Sequence, residues 1–344
     1  VVSELETPFS MKKVAVWSLS IGCVLVSLLL SSCNQSKEDL QAVSLCNPIP
    51  VITTGQTPLF LAKEKGFFAQ EGLDVSFDQG SRELSPIKMV ESGRNDFGMM
   101  GGPDSVIIAR SKGIPVKAVA VLHRNSDFVC LVTLKSSGLT KLEQLDGKQV
   151  GMYYGHISTD VLRSLFAKEG INVEEVNVGF DYNQLISGQV AAQWAFTVRA
   201  VLQLPAQGVD INVIRPADYG IRTHGYTIFA LEETIEEKPE MVMSFLRAVR
   251  NGVDYSLKHP AEGHDLIMEI NSSLTSREFV ETSQDAFDAA TSHSEEYPIG
   301  YLDRQMFEET YERLNSLGVL ENEFDIDEVY TTEFVEALAK ESSE

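Results

Sequence analysis

The sequence predicts an α/β protein with mainly parallel sheets and a helical C-terminal part. Two patterns predict it. From Leu45 to Leu231, short apolar segments bounded by turn residues alternate with stretches of helical spacing, and beyond Leu231 only helical spacing persists. The 344 residues, 43% hydrophobic and 23% charged, suit about two globular domains and exclude a largely disordered or collagen-like chain.

The predicted strands are Pro50–Thr53, Asp74–Phe77, Asp96–Met100, Val116–Leu122, Val129–Leu134, Gln149–Met152, Glu175–Val178, Ala191–Phe196, Asp210–Ile214 and Tyr226–Leu231. Thr57-Pro58 reads as an N-cap followed by proline at the first helical position, and Gly66 closes that helix. Ser158 can cap a helix whose apolar positions Val161, Leu165 and Phe166 share one face, with Gly170 as its stop. In the C-terminal part, Val242, Phe245, Leu246, Val249, Val253 and Leu257 fall at helical spacing and stop near His259-Pro260. Further helices are expected around Glu278–Ala290, Asp303–Leu317 and Thr332–Lys340. The stripe beginning at Met241 and Met243 reads as core.

The first residues form a targeting signal. Met11-Lys12-Lys13 gives a positive start, Val14 to Leu30 is apolar apart from serines and Gly22, and Leu30-Ser31-Ser32-Cys33 follows at once. That ending resembles a bacterial lipobox, in which the cysteine is lipidated and becomes the first mature residue. Residues 1–32 are therefore expected to be a signal peptide, with 1–10 an upstream extension of the reading frame, and 33–45 the lipidated Cys33 and a polar tether. An acylated cysteine anchors a protein to a membrane surface, at about 0.8 kcal/mol per buried methylene.

Lys and Arg total 28 against 50 Asp and Glu, a formal charge of -22 that repels nucleic acid and anionic lipid. Loss of residues 1–32 removes Glu4, Glu6, Lys12 and Lys13, so the balance stays the same. Cys46 and Cys130 then remain, and an oxidising compartment leaves a bridge between them open. No Cys/His cluster has zinc spacing, and nucleophile-elbow, phosphate-loop and dinucleotide motifs are absent from the sequence.

Pro58-Leu59-Phe60-Leu61-Ala62-Lys63-Glu64-Lys65-Gly66-Phe67-Phe68, continuing through Glu71-Gly72-Leu73, resembles the substrate-binding proteins of the nitrate/sulfonate/thiamine-precursor group. This family also includes the fungal thiamine pyrimidine synthases. Further blocks match in order: Glu91-Ser92-Gly93-Arg94-Asn95-Asp96, Ile108-Ala109-Arg110 with Gly113-Ile114-Pro115, Leu145-Asp146-Gly147-Lys148, and Gly188-Gln189-Val190. Arg215-Pro216-Ala217-Asp218-Tyr219-Gly220 resembles the branch that handles thiamine-type pyrimidines. The resemblance implies a two-lobed type II periplasmic-binding-protein fold with a ligand cleft between the lobes. Lobe 1 would hold 46–130 and 226–344 with the C-terminal helices, and lobe 2 would hold 131–225. It implies an extracytoplasmic monomer that captures a solute and delivers it to an ABC permease and its ATPase.

The synthases of this family carry a lysine just after the strand Asp96–Met99 and a histidine four residues on. Here those places hold Met100 and Asp104, so the amine for a pyridoxal phosphate Schiff base is missing. The chain is read as a binder without cofactor, metal or catalysis. Candidate ligand residues follow the strand ends. Gln56 and Thr57 stand at a helix start, where Thr57 can also serve as N-cap. Gly101 lets backbone approach a ligand, Asp104 can accept from an amino group or cap a helix, and Ser105 adjoins it. Tyr154 offers a stacking face and His156 a ring donor. Trp194, the sole tryptophan after loss of Trp17, can stack on a flat heterocycle or fill the core. Asp218 and Tyr219 are weaker candidates, and Arg124, Asn125 and Asp127 suit a hinge or rim. Aromatics and amides favour a thiamine pyrimidine precursor, of hydroxymethylpyrimidine or formylaminopyrimidine type. A riboflavin-like ring and sulfonate- or nitrate-type anions are the alternatives.

Overall fold

The computed structural model describes residues 40–48, 51–81, 84–124, 127–154, 158–291, 293–294 and 296–341. The signal segment, Cys33, Asn125 and His156 lie outside the described residues. The chain runs through β1 (Gln41–Asn47), β2 (Leu73–Gln79), β3 (Phe97–Met100) and β4 (Val116–Val121) in one sheet. It crosses to a second sheet for β5 (Val129–Leu134), β6 (Gln149–Met152), β7 (Glu174–Asn177), β8 (Ala192–Phe196) and β9 (Ile211–Ile214), then returns to the first with β10 (Thr227–Leu231). Strand orders are β2-β1-β3-β10-β4 and β7-β6-β8-β5-β9.

Both sheets are mixed, and the reversals have one cause. β1 pairs parallel with β3, and β6 pairs parallel with β7 and β8. β10 is antiparallel to β3 and β4, and β5 is antiparallel to β8 and β9. Each reversed strand directly follows a crossing, so it starts where its parallel neighbours finish. The strand ends of both lobes therefore gather on the side of the crossings.

Helices α1 (Thr57–Glu64), α2 (Phe67–Gln70), α3 (Pro86–Glu91) and α4 (Asp104–Ser111) link the strands of the first sheet. In the second lobe α5 (Ser158–Glu169), α6 (Asn183–Ile186) and α7 (Thr197–Ala206) do the same. After β10 come α8 (Glu232–Glu237), α9 (Pro239–Lys258), α10 (Pro260–Ile270), α11 (Arg277–Thr291), α12 (Arg304–Ser316) and α13 (Glu333–Glu341). The stop signals act as expected: Gly66 and Gly170 take φ of 74° and 66° just past their helices. Among the described residues no helix is long and apolar enough to cross a membrane.

The first core packs α9 on β3, with Phe97 and Phe245 stacked at 4.1 Å. The second sheet is covered on both faces, so its residues alternate between two clusters: Leu131 and Trp194 in one, Cys130, Val132 and Ala195 in the other. Cys46 lies in β1 and Cys130 in β5, both buried and unbridged. The expected strand at Pro50–Thr53 is displaced to Gln41–Asn47, so residues 41–45, expected in the tether, begin the fold. Burial rises along it from exposed Gln41 and Ala42 to consecutive buried Leu45, Cys46 and Asn47, as a strand covered on both faces requires.

Candidate functional site

The first-lobe wall begins where β1 ends. Asn47 is fully buried, and among the described residues neither polar atom of its side chain has a hydrogen-bond partner. Beyond it, the 3-10 turn Thr54–Gln56 leads into α1. Gln56 is fully buried too; its Oε1 accepts from the Thr53 N–H at 3.2 Å, while its Nε2 has no partner among the described residues. Thr57 is the first helical residue rather than the cap, and its hydroxyl donates to the Thr54 carbonyl at 2.7 Å. Buried amides left unmatched carry a desolvation cost that a ligand or water with complementary groups removes.

After β3 comes Gly101, exposed and with open space where a side chain would be. Met100 closes β3, and Ser105 lies half-buried in the first turn of α4. Asp104, in the first turn of α4, forms a buried ion pair with Arg313 of α12. Its carboxylate is buried, and the guanidinium is the charge that makes such burial tolerable.

In the second lobe, Trp194 is 2% exposed, and its indole N–H donates to the Ser158 hydroxyl at 2.9 Å. Tyr153 stacks on it at 5.2 Å and Phe196 meets it edge-on at 4.9 Å. Phe180, on the loop after β7, lies 4.6 Å from Tyr153 and 5.8 Å from Trp194, yet is 41% exposed. The indole is the base of an aromatic shelf whose open ring is Phe180. Tyr154 is exposed beside it, its N–H donating to Asn177 Oδ1 at 3.3 Å and its hydroxyl to the Glu175 carbonyl at 3.3 Å.

Tyr219 packs against the same cluster as Trp194. The Tyr219 hydroxyl accepts from the Leu142 N–H at 2.9 Å, and Lys168 in the last turn of α5 donates to its carbonyl at 2.8 Å. Asp218 stays exposed on the same 3-10 turn, Pro216–Tyr219.

The crossings are laced together. His224 Nδ1 pairs with the Arg124 carbonyl at 2.7 Å, the Gly225 N–H donates to the His123 carbonyl at 2.8 Å, and Arg215 bridges Asp127 at 2.8 Å. Burial pushes His123 down to about 3 and His224 down to about 4, so both rings are neutral at physiological pH. Burial raises the Cys46 thiol to about 11 and Cys130 to about 12, which makes both unreactive. Among the described residues no group of His, Cys, Asp or Glu is arranged to hold a metal ion.

Sequence reasoning missed Asn47 and Phe180. Asn47 ends an apolar run that had been given to the tether, and Phe180 follows a short, weakly apolar strand with no motif of its own.

A family model described as NMT1/THI5 like matches residues 53–263. The riboflavin-binding protein RibY of Chloroflexus aurantiacus is 26% identical over 81% of this chain and 82% of its own length. The formylaminopyrimidine-binding protein of Halalkalibacterium halodurans is 29% identical over 62% of this chain and 66% of its own. Among solved structures, the periplasmic sulfonate-binding protein SsuA of Methylobacillus flagellatus KT superposes with a TM-score of 0.72 at 17% identity, covering 89% of this chain and 96% of that one. That likeness establishes the periplasmic-binding-protein fold.

Proposed function

Since the chain belongs to the NMT1/THI5-like family, we propose that it is the solute-binding lipoprotein of an ABC importer, capturing a small flat heterocycle between its lobes and releasing it unchanged. The observation that carries this reading is the aromatic shelf: Phe180, open to solvent, backed by Tyr153, Trp194 and Phe196. A planar ring laid on Phe180 gains stacking beyond simple burial. On the opposite lobe the unmatched amides of Asn47 and Gln56 offer donors and an acceptor to the polar edge of such a ring.

The preferred ligand is a pyrimidine precursor of thiamine, of hydroxymethylpyrimidine or formylaminopyrimidine type. The similarity to a formylaminopyrimidine-binding protein supports it. A riboflavin-like ring is the second reading, favoured because the match to RibY extends over more of both chains. Two features support binding without catalysis. Met100 stands where the family's synthases carry lysine, and the Asp104 carboxylate is engaged by Arg313. The charged N-terminal start, apolar run and Leu30-Ser31-Ser32-Cys33 support export and lipid attachment at Cys33, with a permease and ATPase as partners.

Calorimetry and thermal melts of the chain from Asn34 onward test this reading against hydroxymethylpyrimidine, formylaminopyrimidine, riboflavin, taurine and nitrate. A heterocycle at a thousand times its Kd should add about 4 kcal/mol of stability. Binding of taurine or nitrate alone would sink the heterocycle reading. Radiolabelled palmitate incorporated by the full chain and lost in Cys33→Ala tests the anchor.

A further inference from the structure

The helix α11 lies beyond the segment matched by the family model, yet it touches both lobes. On the first lobe it packs against the 3-10 turn Thr54–Gln56, where the hydroxyls of Thr54 and Ser283 are 2.6 Å apart. On the second it packs against α7. Between these contacts Phe287 enters the hinge. Its ring lies 4.3 Å from Phe128, 4.8 Å from His123 and 6.0 Å from Tyr226.

These rings belong to different bodies. His123 follows β4 and Tyr226 precedes β10, and they are bound into the first lobe: the Leu122 N–H donates to the Tyr226 carbonyl at 2.7 Å. Phe128 belongs to the second lobe, its carbonyl accepting from the Thr197 N–H at the start of α7 at 2.8 Å. The seat for Phe287 is cut to shape, because a Cβ on Gly55 would fall 2.5 Å from its Cε1. We infer that Phe287 is a positioning residue for the interlobe site: it wedges against Phe128 across the hinge and so fixes how far the lobes stand apart.

This deepens the reading of the cleft as a ligand site, on which its functional meaning rests. Any rotation of the second lobe about the crossings must slide Phe128 off Phe287 or part α7 from α11. An aromatic contact of this kind biases two arrangements by about two- to twelvefold. The apparent Kd changes by up to the same factor when only one arrangement is competent to bind.

The test needs no ligand. Spin labels on cysteines replacing exposed Lys88 and Ser187 report the distance between lobes by double electron–electron resonance. The wild type should give one dominant distance. Phe287→Ala should broaden it or populate a second distance severalfold more, and Gly55→Ala, which evicts the ring from the opposite side, should do the same. Identical distributions in wild type and in whichever of these variants folds would overturn the inference. Failure of every heterocycle to bind would leave this measurement intact, and an unmoved hinge would leave the ligand reading intact.

Discussion

Asp104 and Arg313 meet inside the first lobe as an ion pair, each side chain 8% exposed, and fasten the first turn of α4 to α12. The pair accounts for an acidic side chain in an otherwise apolar packing layer. Breaking it from one side strands a charge, which typically costs about 3–5 kcal/mol. Arg313→Met should therefore lower the urea midpoint strongly, and Asp104→Asn less so, because an amide still offers Arg313 an acceptor. The double variant should recover part of the loss. If Asp104→Asn left stability alone but abolished heterocycle binding, the carboxylate would be a ligand group after all.

Phe180 and Trp194 should separate function from stability. Phe180→Ala removes a ring 41% exposed but packed on three others, so unfolding should lose only about 1 kcal/mol. Heterocycle affinity should nonetheless fall by up to about tenfold, the worth of one stacking contact. Trp194→Phe loses a buried hydrogen bond to Ser158 and leaves a gap, at a cost of about 2–4 kcal/mol. Calorimetric titration beside urea denaturation reads both quantities. Equal stability loss in the two variants would contradict the shelf geometry.

The fold was largely legible because its signals are local. Alternating apolar runs such as Val129–Leu134 and Gln149–Met152 fall where the strands lie, and α9, α11, α12 and α13 follow their 3.6-residue stripes. The site was less legible because its determinants are distant in sequence. Asp104 and Arg313 are 209 residues apart, and nothing near Asp104 announces its partner. The tryptophan was singled out for its chemistry, yet the exposed ring of the cluster is Phe180, fourteen residues earlier on another loop. Phe287 looks like any apolar residue on an amphipathic helix until three rings from two lobes surround it.

Acid should weaken the hinge before it weakens the sheets. His123 and His224, 1% and 2% exposed, are held near 3 and 4, below the ordinary histidine value of 6.5. Burial is the main cause for both; the Arg124 carbonyl and Asp303 favour a charge on His224, while the Arg124 and Arg222 guanidiniums disfavour it. With folded values depressed, the unfolded chain takes up protons first as pH falls through 6.5. The stability these neutral rings confer is then complete above that pH and lost below it, at about 1.4 kcal/mol per pH unit for each ring. Asp127 and Asp288, raised by burial, pull the other way nearer the carboxylate range. The urea midpoint should drop between pH 6.5 and 5, and His123→Gln should flatten part of that drop; a level profile would contradict two buried neutral imidazoles.

Gly252 provides a test of how the packing supports the first-lobe wall. In a free helix, replacing glycine with alanine gains about 1 kcal/mol. Here a Cβ would sit 2.4 Å from the Pro58 carbonyl oxygen and 2.6 Å from the Ala62 Cβ, both on α1. Backbone cannot swing aside as a flexible side chain can, so α9 and α1 must separate. Overpacking of this sort costs about 1–3 kcal/mol, enough to reverse the helix gain. Because Gln56 and Thr57 open α1, the displacement should also reach the unmatched amide of Gln56 and weaken ligand binding. Gly252→Ala is accordingly expected to lower both the melting temperature and heterocycle affinity. A stabilised variant with unchanged affinity would mean that α9 and α1 do not lie this close.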